Sequence, residues 1–327
     1  MSDVDLGRLE SKFRIKKEES QNVSSSSLVW KLGNSDRPSE QPVQRPIEQA
    51  ADVIHEFDAD AEKSEDLSAV QSDLSGAFQV LYKNKDFQMA AKIGLEWLSH
   101  SSEIGSEELS QLIDTFKQVG EQAGLETALR IYLDESNLTD SQRFEAQKDL
   151  GNTLLRLQDF EGAEECYFKA FRIHSRSDAL LVNIGTLEFR KQQFDSARER
   201  FVQALDINSE NDKAWVGLGL VHLSFGDFTL AIANFERALD IFSANKTAFS
   251  MYADTVYKHG SLQKILQRAE SYLSECPNDI DVLLTAAKVA LILRARDVVN
   301  EYSTQILNID SSHQEARQLL SAIQVGG

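Results

Sequence analysis

Apolar residues recur with helical spacing, and between residues 144 and 313 the pattern of apolar and polar positions repeats every 34 residues. Each 34-residue unit holds two helical stretches, and a small residue is needed where two helices cross closely. The pattern therefore predicts an all-α chain of stacked helix pairs. Four columns carry the repeat: Gly151, Gly185 and Gly219 at position 8; Ala163, Ala197 and Ala231 at position 20; Tyr167, Phe201 and Phe235 at position 24; Ala170, Ala204 and Ala238 at position 27.

Large side chains stand between the small columns. We expect them to fill the core between helix crossings, because their spacing matches one face of a helix. A turn pair such as Gln158-Asp159 or Gly226-Asp227 precedes position 17 and is expected to end one helix and begin the next. The predicted core residues are Trp215 and Phe249 at position 4 and Phe160, Phe194 and Phe228 at position 17.

The quality of the repeat divides the chain into four parts. We predict a disordered arm over residues 1–70, two divergent units over 71–142, five units in strict register over 143–313, and a capping helix over 314–327. A stack of repeats needs such a cap over its last apolar face.

The 34-residue period and its columns resemble the tetratricopeptide repeat, whose unit is a helix-turn-helix. The resemblance covers residues 71–327. It implies a right-handed superhelical solenoid that serves as a binding scaffold and not as an enzyme.

The arm has a composition typical of disorder. Pro38, Pro42 and Pro46 lie close together, near a run of four serines at 24–27, and such a stretch buries too little apolar surface to fold. One apolar island interrupts it. A short recognition element and an incidental cluster are both open readings of this island, which consists of Leu28, Val29, Trp30 and Leu32.

Composition excludes several classes of function. The net charge of -18 argues against nucleic-acid binding, which needs clustered Lys and Arg. No stretch is apolar and long enough to insert into a membrane, and the two cysteines lie in separate units, so we expect a soluble cytoplasmic protein. The six histidines are scattered singly, and neither a catalytic constellation, a cofactor motif nor a metal site is predicted.

The resemblance places the partner site in a groove lined by the first helices. Positions 2, 5, 9 and 12 of each unit are expected to point into it, and in the two central units they form a mostly apolar strip. Exposed apolar strips usually mark partner sites, although burial against an adjacent turn or the chain's own arm is the alternative. The strip consists of Ala179, Val182, Thr186, Phe189, Lys213, Val216, Leu220 and Leu223.

A second hypothesis concerns a carboxylate clamp. Tetratricopeptide co-chaperones hold a C-terminal carboxylate with five polar positions, and four of them match here: Lys148, Asn152, Asn183 and Lys213. The fifth position holds Gly217, which removes one cation, and Arg156 and Arg190 are candidates to replace it in part.

The sequence thus predicts a non-catalytic scaffold that binds a protein or peptide segment in its groove. The alternative is a chaperone that shields an apolar segment of a client. We also advance the hypothesis that the Leu28–Leu32 island occupies the groove as an intramolecular competitor. The partner's identity and the oligomeric state do not follow from the sequence.

Overall fold

The computed structural model describes residues 66–100 and 104–324, with side chains from residue 73 onward. The predicted arm, apart from its last five residues, lies outside the described residues, as does the Leu28–Leu32 island. Fifteen helices and no strand occur within the described ranges. The helices are α1 Asp66–Lys83, α2 Phe87–His100, α3 Ser106–Val119, α4 Gln122–Asp134, α5 Asp140–Arg156, α6 Phe160–Ile173, α7 Asp178–Arg190, α8 Phe194–Ile207, α9 Asp212–Ser224, α10 Phe228–Ile241, α11 Lys246–His259, α12 Leu262–Glu275, α13 Ile280–Ile292, α14 Arg296–Ile309 and α15 Gln314–Gln324.

The helices pair in sequence, and the chain divides into two compact units between Arg176 and Ser177. Within the first unit, α1 to α6 pack each on the next, and within the second unit α7 to α15 do the same. Seven pairs followed by one single helix agree with the expected all-α repeat architecture. Helix α1 begins at Asp66, five residues before the predicted start of the first repeat.

The small columns receive aromatic rings. A Cβ atom on Gly151 would lie 2.5 Å from Cε1 of Tyr167, and one on Gly185 would lie 2.9 Å from Cε1 of Phe201. The alanines of positions 20 and 27 are fully buried, as predicted. At position 8, however, the room that glycine leaves is filled by the ring of the second helix of the same unit, and not by facing backbone as the sequence suggested.

The turn between the two helices of a unit places one residue in the left-handed region. At this position of four units φ lies between 59° and 76°; the residues are Gln158, Gln192, Gly226 and Arg294. The next residue caps the new helix: the side chain of Asp159 accepts the Gly162 N–H, and that of Asp227 accepts the Leu230 N–H. The predicted turn pairs thus end one helix and begin the next.

The last residue of a unit caps the next helix and also ties two units together. The Asn211 side chain accepts from the Ala214 N–H at 2.9 Å and donates to Asp178 at 2.9 Å. Asn245 repeats this, with a 2.7 Å donation to Asp212. Each tie joins the starts of the first helices of neighbouring units and helps to set their spacing.

The residues predicted to lie in the core at positions 4 and 17 differ in their exposure to solvent. Phe249 at position 4 is 1% exposed, as expected, whereas Trp215 is half-buried and donates its indole N–H to the Ser209 carbonyl at 2.9 Å. Phe228 at position 17 is 38% exposed, so its assignment to the core is wrong. Its ring stacks on His259 with centroids 3.7 Å apart, because position 17 follows directly on the solvent-facing turn.

Helix α15 covers the end of the second unit. Ala316 and Leu319 are buried, and Leu319 joins a cluster with Ala287, Ala290 and Val299. Lys288 forms an ion pair with Glu315 at 2.5 Å. The apolar face that α13 and α14 would otherwise expose is therefore covered.

We predict opposite effects of alanine at two helical glycines. Gly151→Ala should lower the free energy of unfolding by about 1–3 kcal/mol, because its Cβ overlaps the buried Tyr167 ring. Gly76→Ala, with no atom within 4 Å of the new Cβ, should raise it by up to about 1 kcal/mol through helix propensity. Urea unfolding followed by circular dichroism measures both; equal changes would contradict the ring-on-glycine packing.

A second prediction concerns the Asp178 carboxylate. Partial burial opposes its ionisation, but donation from Asn208 and Asn211 outweighs burial and holds the pKa of Asp178 below its usual value. Its stabilisation is therefore complete above the ordinary value of about 3.9 and lost as pH falls through the lowered value. Asp178→Ala should cost about 1–3 kcal/mol at pH 7 and progressively less as the pH falls through the lowered pKa.

Thermal melts at several pH values test this prediction. Asp195→Ala is the matched control, since Asp195 stands in the first turn of α8 with an exposed side chain. If Asp178→Ala lowers the free energy of unfolding equally at every pH, the ionised carboxylate is not what stabilises the contact with Asn208 and Asn211.

Candidate functional site

The predicted strip lies on α7 and α9, and most of it is buried. Val216 and Leu220 are each 1% exposed, and Val182, Thr186 and Phe189 are also buried. Leu223 is half-buried, while Ala179 and Lys213 are exposed. The expectation of an exposed apolar strip is therefore wrong for its central residues.

Phe189 owes its burial to the turn that follows it. Its ring packs edge-on against Phe194 with centroids 5.3 Å apart, and Phe194 packs in turn on Phe225 at 6.0 Å. Thr186 donates its hydroxyl to the Val182 carbonyl at 2.8 Å. This end of α7 is thus held by a row of aromatic rings at the turn.

Helix α9 is buried on every side over more than one turn. The six residues from Val216 to Val221 are all buried, and at about 100° per residue they go more than once around the axis. Gly217 meets the Phe201 ring of α8, and Gly219 meets the Phe235 ring of α10. Val216, Leu220 and Leu223 share one arc between these two contacts, and this arc also carries the exposed Lys213.

The first two clamp residues are engaged within their own unit. Lys148 forms an ion pair with Glu145, and its ammonium lies 5.4 Å from the centroid of the Phe144 ring. The Asn152 side-chain oxygen accepts the Tyr167 hydroxyl at 2.8 Å. A carboxylate ligand would have to compete with Glu145 for the Lys148 ammonium.

The remaining clamp positions lie in the second unit. Asn183 is half-buried and Lys213 is exposed. Gly217 has no room for a cationic side chain, because its Cβ would lie 2.5 Å from the Phe201 ring. Burial lowers the pKa of the half-buried Arg190. The clamp stays a prediction, and the packing of Phe201 explains why its fifth position is glycine.

The structure adds two exposed features that the strip did not include. Tyr257, 44% exposed, stands at position 12 of its unit, the place that Leu223 holds on α9. Phe225 and Phe228 are exposed at the turn between α9 and α10, beside His259. The position-12 column in the sequence could have identified Tyr257. For the two phenylalanines the signal was the predicted turn pair Gly226-Asp227, which they flank. Apolar spacing alone does not distinguish a turn from a core.

The described residues contain no group of three or more His, Cys, Asp or Glu placed to hold a metal ion. Within the same ranges, every helix is too short or too polar to cross a membrane. Both cysteines are free, and burial raises the pKa of the Cys166 thiol.

Comparison with known proteins agrees with this architecture. Residues 182–246 match the family model of the tetratricopeptide repeat. The chain is similar to PilW, a type IV pilus biogenesis factor, with a TM-score of 0.50 and 21% identity over 66% of this chain and 98% of PilW. No curated protein sequence matches the chain significantly.

Two further solved structures show lower TM-scores. PilF from Pseudomonas aeruginosa gives 0.49 at 20% identity, over 66% of this chain and 97% of PilF. YrrB, a protein with tetratricopeptide repeats and an unusual peptide-binding site, gives 0.41 at 19% identity, over 55% of this chain and 97% of YrrB. The family match over residues 182–246, the 34-residue period and the helix pairs together show a tetratricopeptide-type repeat architecture.

Leucine truncation on two neighbouring helices tests the burial of the strip. Leu220→Ala should lower the free energy of unfolding by about 2–5 kcal/mol, as for a core leucine. Leu230→Ala on α10, where the side chain is 46% exposed, should change it by no more than about 0.5 kcal/mol. Chemical unfolding of both variants measures this; a small loss at Leu220 would mean that its side chain is solvated.

Proposed function

We propose that the chain is a non-catalytic scaffold that binds a protein or peptide segment along the first helices of its second unit. The surface consists of the accessible residues of the strip, Ala179, Lys213 and Leu223, continued by Tyr257 on α11. Repeat proteins of this architecture use the extended surface formed by successive units to hold partners. The observation that carries the proposal is the accessibility of two large apolar side chains, Leu223 and Tyr257, at position 12 of successive units.

The chemistry of this surface favours an apolar segment of a partner. The accessible apolar side chains of this surface are Leu223 and Tyr257, and Lys213 is an exposed cation at its edge. Each large apolar side chain that a partner buries there contributes about 1.5–3 kcal/mol before the cost of ordering. An apolar segment with an acidic neighbour fits both the strip and Lys213.

The two free thiols fit a reducing compartment, and a cytoplasmic location is part of the proposal. A chaperone for apolar client segments is the second candidate. It rests on the same uncharged surface, which would bind apolar client segments without requiring a particular client sequence.

Affinity capture from a native lysate of the source cells tests the proposal. The groove variant Leu223→Ser with Tyr257→Ser alters accessible side chains, and Val202→Ser with Leu230→Ser is the matched control on the second helices. We expect the groove variant to lose proteins that the wild type and the control both retain, with melting temperatures unchanged. Equal capture by all three proteins would place the partner site elsewhere.

The captured proteins also separate the two candidates. One or two defined partners, each with an apolar segment that binds the wild type by calorimetry, would establish a scaffold. A broad set of unrelated apolar proteins, kept soluble by the wild type during heating, would establish the chaperone instead.

A further inference from the structure

The turns between the first and second helix of each repeat lie along one edge of the second compact unit. Ring contacts connect the first three of them. Phe194 packs on Phe225 with centroids 6.0 Å apart, and Phe228 stacks on His259 at 3.7 Å. We call this edge the turn edge; it comprises residues 190–194, 224–228, 258–262 and 292–296.

The fourth turn belongs to the same edge because α11 and α13 run side by side. At their first residues the Lys246 ammonium lies 2.8 Å from the Asp281 carboxylate. The two helices are 14 and 13 residues long, so their far ends reach the same height. The third and fourth turns follow directly on those ends.

The turn edge is basic, although the whole chain has a net charge of -18. Its lysines and arginines outnumber its acids by five to one, and its last two turns contain no acid. With Asp195 and Asp297, which follow it by one residue, it still has five cations against three acids. The charged residues of the turn edge are Arg190, Lys191, Asp227, Lys258, Arg294 and Arg296.

The opposite edge of the same unit has the opposite charge. It consists of the turns that join one repeat to the next, and these contain four acids and one lysine over segments of the same length. The segments are residues 208–212, 242–246, 276–280 and 310–314. Charge is therefore segregated between the two edges of the unit.

The cations of the last two turns are accessible. Lys258, Arg294 and Arg296 are exposed, and among the described residues neither the Lys258 ammonium nor the Arg294 guanidinium forms an ion pair. Arg294 has a φ of 59°, and Gly226 holds the same left-handed position two units earlier. Glycine adopts this conformation without strain. The fold thus accepts glycine at residue 294, and the arginine adds an exposed charge.

Large apolar side chains lie in the same turns. Phe225 is 50% exposed, Phe228 is 38% exposed and Ile292 is 45% exposed. Protein interfaces are enriched in aromatic residues and arginine relative to the remaining surface. The turn edge therefore offers apolar contact and positive charge together.

We propose that the turn edge binds an acidic segment of a partner protein in which carboxylates alternate with aromatic or aliphatic side chains. A guanidinium group can hold a carboxylate through two parallel N–H···O bonds, and the exposed rings and Ile292 receive the apolar side chains. The Debye length is about 8 Å at physiological salt, so the acidic remainder of the chain is largely screened and the local cations determine the attraction. This second surface differs from the groove along the first helices, which ends at Tyr257.

Fluorescence anisotropy of the full-length chain with a labelled peptide of alternating glutamate and phenylalanine tests the proposal. Lys258→Gln with Arg294→Gln should weaken binding about threefold to tenfold, as expected for two exposed charge contacts. The peptide with glutamine in place of every glutamate should bind the wild type more weakly by a similar factor. Lys92→Gln with Arg237→Gln removes two exposed cations outside the edge, and this matched control should bind like the wild type.

Two further variants separate binding from folding. Arg294→Gly should keep the melting temperature within about 2 °C of the wild type, because glycine suits the left-handed turn, and should still weaken the peptide about twofold to fivefold. Phe225→Ser with Phe228→Ser should also weaken it. Phe168→Ser with Phe242→Ser, at exposed rings elsewhere, is the control and should not.

Weaker binding by the edge variants, with unchanged controls, would establish this surface. No binding of the glutamate peptide, or equal binding of its glutamine form, would overturn the proposal. Tighter binding of single-stranded oligodeoxythymidine at this edge would assign it to nucleic acid instead. A dimer in sedimentation that Lys258→Gln with Arg294→Gln dissociates would assign it to a second copy, and both results would also overturn the proposal.

Discussion

The repeat architecture depends on one contact, the aromatic ring of a second helix lying against a glycine of a first helix. Phe201 shows it most fully, since its ring contacts Gly185 of its own unit and Gly217 of the next. The ring is 1% exposed and thus joins three helices at once. Any side chain at either glycine would have to displace a ring that has no free space around it.

The polar ties complement this apolar contact. Asn211 and Asn245 each use one side-chain amide to cap a helix and to donate to an aspartate one unit earlier. A hydrogen bond has a fixed geometry, whereas apolar packing is non-directional. The rings therefore fill the space between the helices, and the asparagines help to set the spacing between successive first helices.

The same contacts shape the candidate binding surface. The two rings that meet Gly217 and Gly219 define the borders of the α9 arc, and the exposed Lys213 marks its outer edge. Because Gly217 must accommodate Phe201, that position cannot also supply a cation for a carboxylate ligand. Packing between units thus limits the polar chemistry of the surface and leaves it mainly apolar.

Sequence by itself determined the helix pairs, their boundaries at the turns and the small columns, because these depend on local spacing and on the sizes of residues such as Gly151 and Ala163. The tertiary structure decided exposure. Val216 and Leu220 were expected at a surface and are buried, whereas Phe228 was expected in the core and is exposed. Helical periodicity shows which residues lie on the same side of a helix. Only the complete set of surrounding atoms determines whether that side is exposed to solvent.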